Sequence, residues 1–436
     1  MKIKQFIIRL IKRLLRGKTL TDTKTVSNFS ETREVFSEPL REVKPPTNPT
    51  TTSPPDSEKT KKKSHSVKCP YCNSKEVIKR GRRKTKYEVR QLFYCKHCQK
   101  TFTQQKVKGY SYPLKVILDG ISFYNTGWTL EESCNLLKEK FGLDVKPSTL
   151  SDWVKEFKEL CSYTRMRDFG LKLFSANQAI QCIKLYHRQV FEFKYHRAKI
   201  ALILQDFKHS KFEPLREFLD LVSVECPHQL FLEGLRISEL KIPFDLSEVV
   251  FRRKHNFACR IADLVLQAVN DNKLRHSAIQ NFMIANDSVT VACEVPVYLR
   301  EEDIEHMQEN LGFLIPIKLT NLLKEQQKQS NNTTLQPVIT GHIDILQVRN
   351  GAIHILDYKP QAKKEKPVEQ LTLYAIALSR LTGLRLYEFK CAWFDEEDYF
   401  EFYPLHVIYK LRKKQEKENP LQIKLPIMED SYDLQI

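Results

Sequence analysis

The sequence Gly341-His-Ile-Asp-Ile-Leu-Gln-Val-Arg-Asn-Gly-Ala-Ile-His-Ile-Leu-Asp-Tyr-Lys359 predicts two β-strands joined by a tight turn. The Asn-Gly pair at 350–351, set between two apolar runs, is the strongest short-range signal for a two-residue type I′ hairpin. That turn sets a register in which Asp344 lies directly opposite Asp357. Because side chains alternate along a strand, both carboxylates project from the same face of the hairpin.

Lysine and histidine extend this face, since the same register puts His342 opposite Lys359. Opposed side chains lie about 4.5–5.5 Å apart at Cβ, where two like charges are destabilising. Asp344 and Asp357 are each flanked by isoleucine or leucine, and an unpaired charge in such a buried strand is costly. A divalent cation between the carboxylates would remove the repulsion. The pattern therefore favours a metal-dependent active site, and a solvated strand end is the alternative.

Three elements in a fixed order carry a family resemblance: Asp344, then Asp357-Tyr358-Lys359, then Gln370-Leu-Thr-Leu-Tyr374. This order resembles the PD-(D/E)XK nuclease superfamily, most closely its RecB-like branch. The likeness extends over roughly Pro214 to Pro404. It implies an α/β restriction-endonuclease-like domain with a mixed central sheet, which we place at residues 214–410.

The resemblance also implies roles for the residues that match. Asp344 and Asp357 would hold Mg²⁺ or Mn²⁺, and Lys359 would orient or activate the attacking water. Gln370 and Tyr374, which share a helix face at i, i+4, would shape the DNA-facing side of the site. Carboxylate oxygens suit Mg²⁺, which keeps several waters and accepts substrate phosphate beside one or two protein carboxylates.

Two upstream segments bear on the same domain. Glu294, in the apolar strand Thr290–Tyr298, is a further candidate acid, because RecB-like enzymes often carry one there; a strand-edge charge is the alternative. The segment Cys226-Pro-His-Gln-Leu-Phe231 resembles the start of iron–sulfur members of the branch. Those members need three more cysteines after the Gln-x-x-x-Tyr helix, and only Cys391 occurs there, so we expect no iron–sulfur cluster.

The N-terminal half contains two C-x-x-C pairs, Cys69-Pro-Tyr-Cys72 and Cys95-Lys-His-Cys98, separated by 22 residues. This spacing is typical of a four-cysteine zinc site and predicts a zinc ribbon at residues 67–108. Basic residues interleaved with aromatic ones lie between the pairs, which indicates contact with nucleic-acid phosphates. The candidate DNA-binding residues here are Arg80, Arg82, Arg83 and Lys84.

Residues 109–163 predict three short helices, with a capping box at Thr129-Leu-Glu-Glu132 opening the second. A zinc ribbon followed by three helices and a late tryptophan is similar to the DNA-binding region of insertion-sequence transposases, so a helix-turn-helix is expected. Leu150 and Trp153 are expected in its core. The predicted DNA-facing residues are Ser148, Thr149, Ser151 and Lys155. No Asp/Asp/Glu transposase triad can be assembled downstream, and helices without DNA binding are the alternative.

Positive charge is concentrated in the N-terminal part of the chain. The 436 residues carry a net charge of +18; residues 1–110 hold 28 basic and 9 acidic side chains, and the remainder holds 43 and 44. Residues 1–17 predict a basic amphipathic helix for a membrane surface, a transit function or docking, and residues 18–66 predict a disordered linker. Residues 164–213 have no assignable role, and 411–436 form a C-terminal tail.

These patterns predict a multidomain protein: a small zinc ribbon and three-helix helix-turn-helix, followed by the nuclease-like α/β domain. We expect a metal-dependent deoxyribonuclease with structural Zn²⁺, catalytic Mg²⁺ or Mn²⁺ and DNA as its partner. A noncatalytic DNA-binding regulator or domesticated mobile-element protein is the alternative. A small-molecule substrate is not expected. A membrane partner is not expected either, because no stretch is long and apolar enough to span a bilayer. A homodimer is left open, and the scattered cysteines favour the cytoplasm.

Overall fold

Two β-sheets organise the part of the chain that the structure, a computed structural model, describes: residues 67–103, 110–329 and 337–410. The predictions for residues 1–17, 18–66 and 411–436 lie outside the described residues. The smaller sheet is antiparallel, with the order β1-β2-β3. Its strands are β1 (Val77–Lys84), β2 (Val89–Cys95) and β3 (Thr101–Thr103).

Three helices follow the small sheet: α1 (Leu114–Thr126), α2 (Leu130–Phe141) and α3 (Pro147–Glu156). The capping box predicted for α2 is present, since the Thr129 hydroxyl accepts from Glu132 N–H and the Glu132 carboxylate accepts from Thr129 N–H. Gly142 ends α2 in the left-handed conformation at φ +65°, as expected for a C-cap glycine.

The larger sheet has nine strands and mixes parallel and antiparallel pairs, which confirms the expected mixed α/β architecture. Eight strands follow the order β4-β5-β8-β9-β10-β11-β12-β7, and β6 pairs with β9. Their bounds are β4 (Ile180–His187), β5 (Gln189–His196), β6 (Leu235–Arg236), β7 (Arg252–Lys254), β8 (Thr290–Arg300), β9 (Val338–Arg349), β10 (Ala352–Tyr358), β11 (Phe389–Phe394) and β12 (Tyr399–Phe402).

Helices pack against this sheet, and the longest described is α13 (Val368–Thr382), with 15 residues. The remaining helices are α4 (Arg167–Leu173), α5 (Ala176–Ala179), α6 (Arg197–Ile203), α7 (Glu213–Glu225), α8 (His228–Glu233), α9 (Phe257–Leu266), α10 (Arg275–Asn286), α11 (Glu301–Glu309), α12 (Ile317–Gln329), α13 (Val368–Thr382) and α14 (Leu405–Ile408). Among the described helices, none combines the length and the apolar character needed to cross a membrane.

The β9–β10 hairpin has the predicted register. Arg349 pairs with Ala352, and the ladder continues to Ile345 opposite Leu356. Asn350 and Gly351 take φ values of +52° and +70°, as a type I′ turn requires. A one-residue slip would send every side chain of a strand to the opposite face, so this turn decides which face Asp344 and Asp357 occupy.

Residues 164–213, which had no assigned role, contribute to the large sheet. The β4–β5 hairpin joins it through Lys194 opposite Cys293 and Tyr195 opposite Ala292. The apolar run after the hairpin forms α6, which lies over β8. The sheet therefore begins upstream of residue 214.

The three helices α1–α3 share one core with the large sheet. Leu150 and Trp153 are buried, as predicted, in a cluster that also contains Ile345 and Leu356 of the hairpin. A hydrogen bond between two asparagine side chains also connects α1 with α10. Asn125 on α1 donates to the Asn286 carboxamide oxygen at 2.8 Å.

We predict that Asn286→Ala lowers the free energy of unfolding by about 2–3 kcal/mol. The buried amide links α1 to α10, and its loss leaves its polar partners without a hydrogen bond. Asn286 Nδ2 donates to Ser122 Oγ and Phe282 O in addition to accepting from Asn125. Urea unfolding measures the change. The exposed Asn270→Ala is the control and should shift the free energy by less than about 0.5 kcal/mol; equal effects would contradict the linkage.

Candidate active site

Three carboxylates lie at one level on three adjacent strands, β8, β9 and β10. Glu294 falls opposite Asp344, because the residue pairs on either side of it are Cys293–Ile345 and Val295–Ile343. Asp344 in turn falls opposite Asp357, one step beyond the last backbone pair of the hairpin. The structure therefore brings together the three acids that the sequence had singled out.

Glu294 has a left-handed backbone, with φ +52°. Such a conformation costs a non-glycine residue on the order of 1–3 kcal/mol and persists only where surrounding structure imposes it. Gln280 Nε2 donates to Glu294 Oε1 at 2.7 Å and fixes the side chain. Burial raises the pKa of Glu294, and the negative charge of Asp357 adds to that rise.

Asp344 and Asp357 face each other with one nearby cation. Burial raises the pKa of Asp344 well above its ordinary range, and the charges of Asp357 and Glu294 raise it further. Lys359 Nζ lies 2.9 Å from Asp357 Oδ2. Asp357 is only 2% exposed, and among the described residues its Oδ1 has no hydrogen-bond partner. A buried carboxylate oxygen without a donor fits a metal ligand.

Lys359 stays charged in this setting. Burial alone lowers the pKa of Lys359, but the charges of Asp357 and Asp344 outweigh burial and raise the pKa above its ordinary value. A permanent ammonium group beside the acids can stabilise negative charge that develops on a bound phosphoryl group.

His276 is a site residue that sequence reasoning missed. It lies at the start of α10, and its ligand atom, with those of Asp344 and Asp357, forms a group whose members are all within 4.8 Å of one another. Its Nε2 lies 2.8 Å from the carbonyl oxygen of Tyr358. A carbonyl can only accept, so Nε2 carries a hydrogen and donates it to Tyr358 O. Second contacts of this kind orient histidines that bind metals.

The predicted Gln370–Tyr374 pair lies on α13 beside the acids. Gln370 Nε2 donates to Tyr374 Oη at 3.0 Å, and Tyr374 is 4% exposed. The tyrosine ring passes so close to Gly341 that a Cβ there would overlap Tyr374 Cε1. Glycine at 341 is therefore required for the ring to reach the site.

These side chains line a cavity of about 350 Å³. Its wall contains the three acids, Lys359, His276, Gln370 and Tyr374, together with Arg236 from β6. His342 also lines the cavity, where its Nε2 lies 2.9 Å from His187 Nδ1. Clustered carboxylates with a cation at the wall can take a hard divalent ion and a phosphate together.

The four predicted cysteines, Cys69, Cys72, Cys95 and Cys98, come together and could bind a metal such as zinc. Sγ–Sγ distances are 3.4 Å for Cys69–Cys98 and 3.6 Å for Cys72–Cys95. Tetrahedral Zn–S bonds of about 2.3 Å require sulfur atoms about 3.8 Å apart, so the cluster needs little adjustment.

The predicted DNA-binding residues lie at the surface. Arg80, Arg82, Arg83 and Lys84 are exposed along β1, where Arg80 also stacks over Tyr94. On α3, Ser148 and Lys155 are exposed, and Thr149 and Ser151 are partly exposed. All eight side chains are therefore accessible to a ligand.

No family model, curated protein or solved structure matches this chain. Function must therefore be inferred from the chemistry of the side chains.

We predict that Asp344→Asn removes a pH dependence from the stability of the metal-free protein. The folded chain holds the Asp344 proton more tightly than the unfolded chain, because the folded pKa is raised. Without a cation, stability is retained near pH 4 and falls by up to about 1.4 kcal/mol per pH unit as pH rises toward that pKa. The asparagine variant should be more stable than the native chain at pH 8 in EDTA.

Urea unfolding at pH 5 and pH 8, with EDTA or Mn²⁺, measures this effect. Mn²⁺ should stabilise the native chain at pH 8 and leave Asp344→Asn nearly unchanged. The exposed Asp168→Asn keeps the site intact and should behave like the native chain. An unchanged pH slope in Asp344→Asn would show that Asp344 does not bear the buried charge.

Proposed function

We propose that this protein is a metal-dependent nuclease that hydrolyses phosphodiester bonds in DNA. The observation that carries the proposal is the row of Glu294, Asp344 and Asp357 across three strands, with Lys359 held against Asp357. This arrangement agrees with the resemblance of the sequence to the PD-(D/E)XK superfamily. Three acids gathered in one cavity are costly to maintain in a sheet without a ligand.

Asp344 and Asp357 are the residues that would hold the metal, with Glu294 or His276 as a further ligand. Bound Mg²⁺ or Mn²⁺ supplies polarisation of a phosphoryl oxygen and a water of lowered pKa. The imidazole adds a nitrogen donor to a set of oxygens, which favours Mn²⁺ relative to Mg²⁺.

Lys359 acts as a fixed cation rather than as a general base, because its raised pKa keeps it protonated at neutral pH. It neutralises charge on the phosphate oxygens as the bond to the leaving group breaks. Asp357 holds the ammonium group in place through the 2.9 Å contact. Gln370 offers its amide to the DNA side of the cavity, and Tyr374 supports that amide.

Cleavage of plasmid and linear DNA with Mg²⁺ or Mn²⁺ tests this function. We expect Asp357→Asn and Lys359→Ala each to reduce the cleavage rate by about 100-fold or more, the cost of losing one preorganised charge from an active site. Lys364→Ala, an exposed lysine five residues further along, is the matched control and should cleave at the native rate.

DNA binding by the variants separates the outcomes. Loss of cleavage with retained binding assigns the chemistry to this site. Cleavage that survives both substitutions would place the active site elsewhere. A native chain that binds DNA without cutting it would support the noncatalytic regulator.

We also propose that the cysteine cluster with its small sheet, and the helices α1–α3, form a zinc ribbon and a helix-turn-helix that deliver the nuclease to DNA. The exposed basic edge of β1 supports this proposal, since Arg82 and Arg83 make no ion pair with the described residues. Free arginines on a rigid strand bind phosphates at little entropic cost.

We predict that Arg82→Ala/Arg83→Ala weakens DNA binding and makes it less sensitive to salt. Each lost phosphate contact should reduce the slope of log K against log salt by about 0.9, so the double variant should lose about 1.8. Fluorescence anisotropy over a KCl series measures the slope. Lys172→Ala/Lys208→Ala removes the same charge from other exposed positions and should keep the native slope.

A further inference from the structure

A second group of metal-ligating side chains borders the cavity of the acids but includes none of the ligands assigned to the two sites above. His187, Cys226 and His228 each present a ligand atom, and these atoms are all within 4.8 Å of one another. His187 Nε2 is 2.8 Å from His228 Nδ1 and 3.9 Å from Cys226 Sγ. A tetrahedral zinc ion would set these separations at about 3.4 Å and about 3.6 Å, so shifts of about half an ångström suffice.

The other ring nitrogen of His187 has the contact expected of a metal ligand. His187 Nδ1 lies 2.9 Å from His342 Nε2. If Nε2 of His187 binds a metal, Nδ1 carries the hydrogen and donates it to His342. Histidines that bind metals almost always donate their second N–H in this way, which fixes the tautomer and the ring orientation.

Aromatic packing holds both rings in position. His187 stacks on Phe231 with ring centroids 4.2 Å apart and planes 11° apart. His342 stacks on Phe191 at 3.6 Å and 9°. His187 and His342 are 2% and 8% exposed, so neither can turn away to solvent. The donor atoms of a metal site are thus pre-positioned by groups that do not themselves bind the ion.

The backbone brings the three ligands from two separate elements. His187 ends β4 just before a turn in which Arg188 adopts φ +49°, and Cys226 and His228 flank Pro227 between α7 and α8. Arg188 Nε donates to Leu232 O at 2.8 Å, which ties the turn to α8 a second time.

We propose that His187, Cys226 and His228 bind a Zn²⁺ ion that fastens α8 to the tip of the β4–β5 hairpin. One thiolate and two imidazoles are donors that zinc accepts readily, whereas Mg²⁺ prefers oxygen. Cys226 is partly exposed and His228 is exposed, so the fourth position is open to water. The proposal does not depend on nuclease activity or on DNA binding.

The effect of the ion reaches the catalytic cavity through His342. His187 and His342 both line that cavity, and His342 precedes Asp344 by two residues on β9. Zinc on His187 would therefore fix the direction of the hydrogen bond from His187 on β4 to His342 on β9.

Metal content of the purified full-length chain tests the proposal. We expect about two zinc ions per native chain by mass spectrometry of the metal, one in the Cys69–Cys98 cluster and one here. Cys226→Ser and His228→Ala should each retain about one. Cys182→Ser is the matched control, an exposed cysteine on the same hairpin, and should retain two. Native zinc content in Cys226→Ser would overturn the proposal.

Cobalt substitution identifies the ligands. Cys95→Ser/Cys98→Ser removes the other cluster, and Co²⁺ bound to this variant should show a thiolate-to-cobalt charge-transfer band that disappears on adding Cys226→Ser. A band that persists would contradict the assignment of Cys226. Because Cys226 and His228 are both accessible, Cys226→Ser and His228→Ala should fold, and far-ultraviolet circular dichroism checks this. If Cys95→Ser/Cys98→Ser fails to fold, the zinc content of Cys226→Ser and His228→Ala still decides the proposal.

Discussion

The gathering of three carboxylates at one level of the central sheet, with Asp357 buried and Glu294 and Asp344 partly buried, is the constraint around which the surrounding side chains are arranged. Three anions on adjacent strands repel one another, and a buried interior screens that repulsion poorly. The chain responds by raising the pKa of Asp344 and by holding one cation, Lys359, against Asp357. Even with Arg236 in the described wall of the cavity, Lys359 does not balance three carboxylates. The remaining negative charge is what supports the proposed binding of a divalent ion in the cavity.

Strand register is what aligns the acids, and two backbone features fix it. The turn at Asn350 and Gly351 sets β10 against β9. On the other side, β8 holds Glu294 in a left-handed conformation between two regular pairs, Cys293–Ile345 and Val295–Ile343. Strain at a position surrounded by well-formed ladder is typical of functional sites, where geometry is maintained at the expense of stability.

Local sequence signals predicted the parts of the fold and the site that depend on local geometry. The Asn-Gly turn specified the pairing of Ile345 with Leu356, and helical spacing placed Gln370 beside Tyr374. His276 gave no such signal, because it begins a helix far from the hairpin and its role depends on where that helix packs. The β4–β5 hairpin was missed as part of the sheet for the same reason: only two residue pairs join it to β8.

Through the contact between His187 and His342, the proposed zinc ion on His187 would act on the cavity of Asp344 without contacting the acids. His342 and Asp344 are two residues apart on β9, so their side chains leave the same face of the strand. A zinc ion that fixes His187 also fixes the direction of the hydrogen bond to His342, and this contact restrains the segment of β9 that carries Asp344. Because a misplacement of about 1 Å can slow a reaction by 100-fold, such a restraint would matter for the proposed catalysis even at a distance from the reacting atoms.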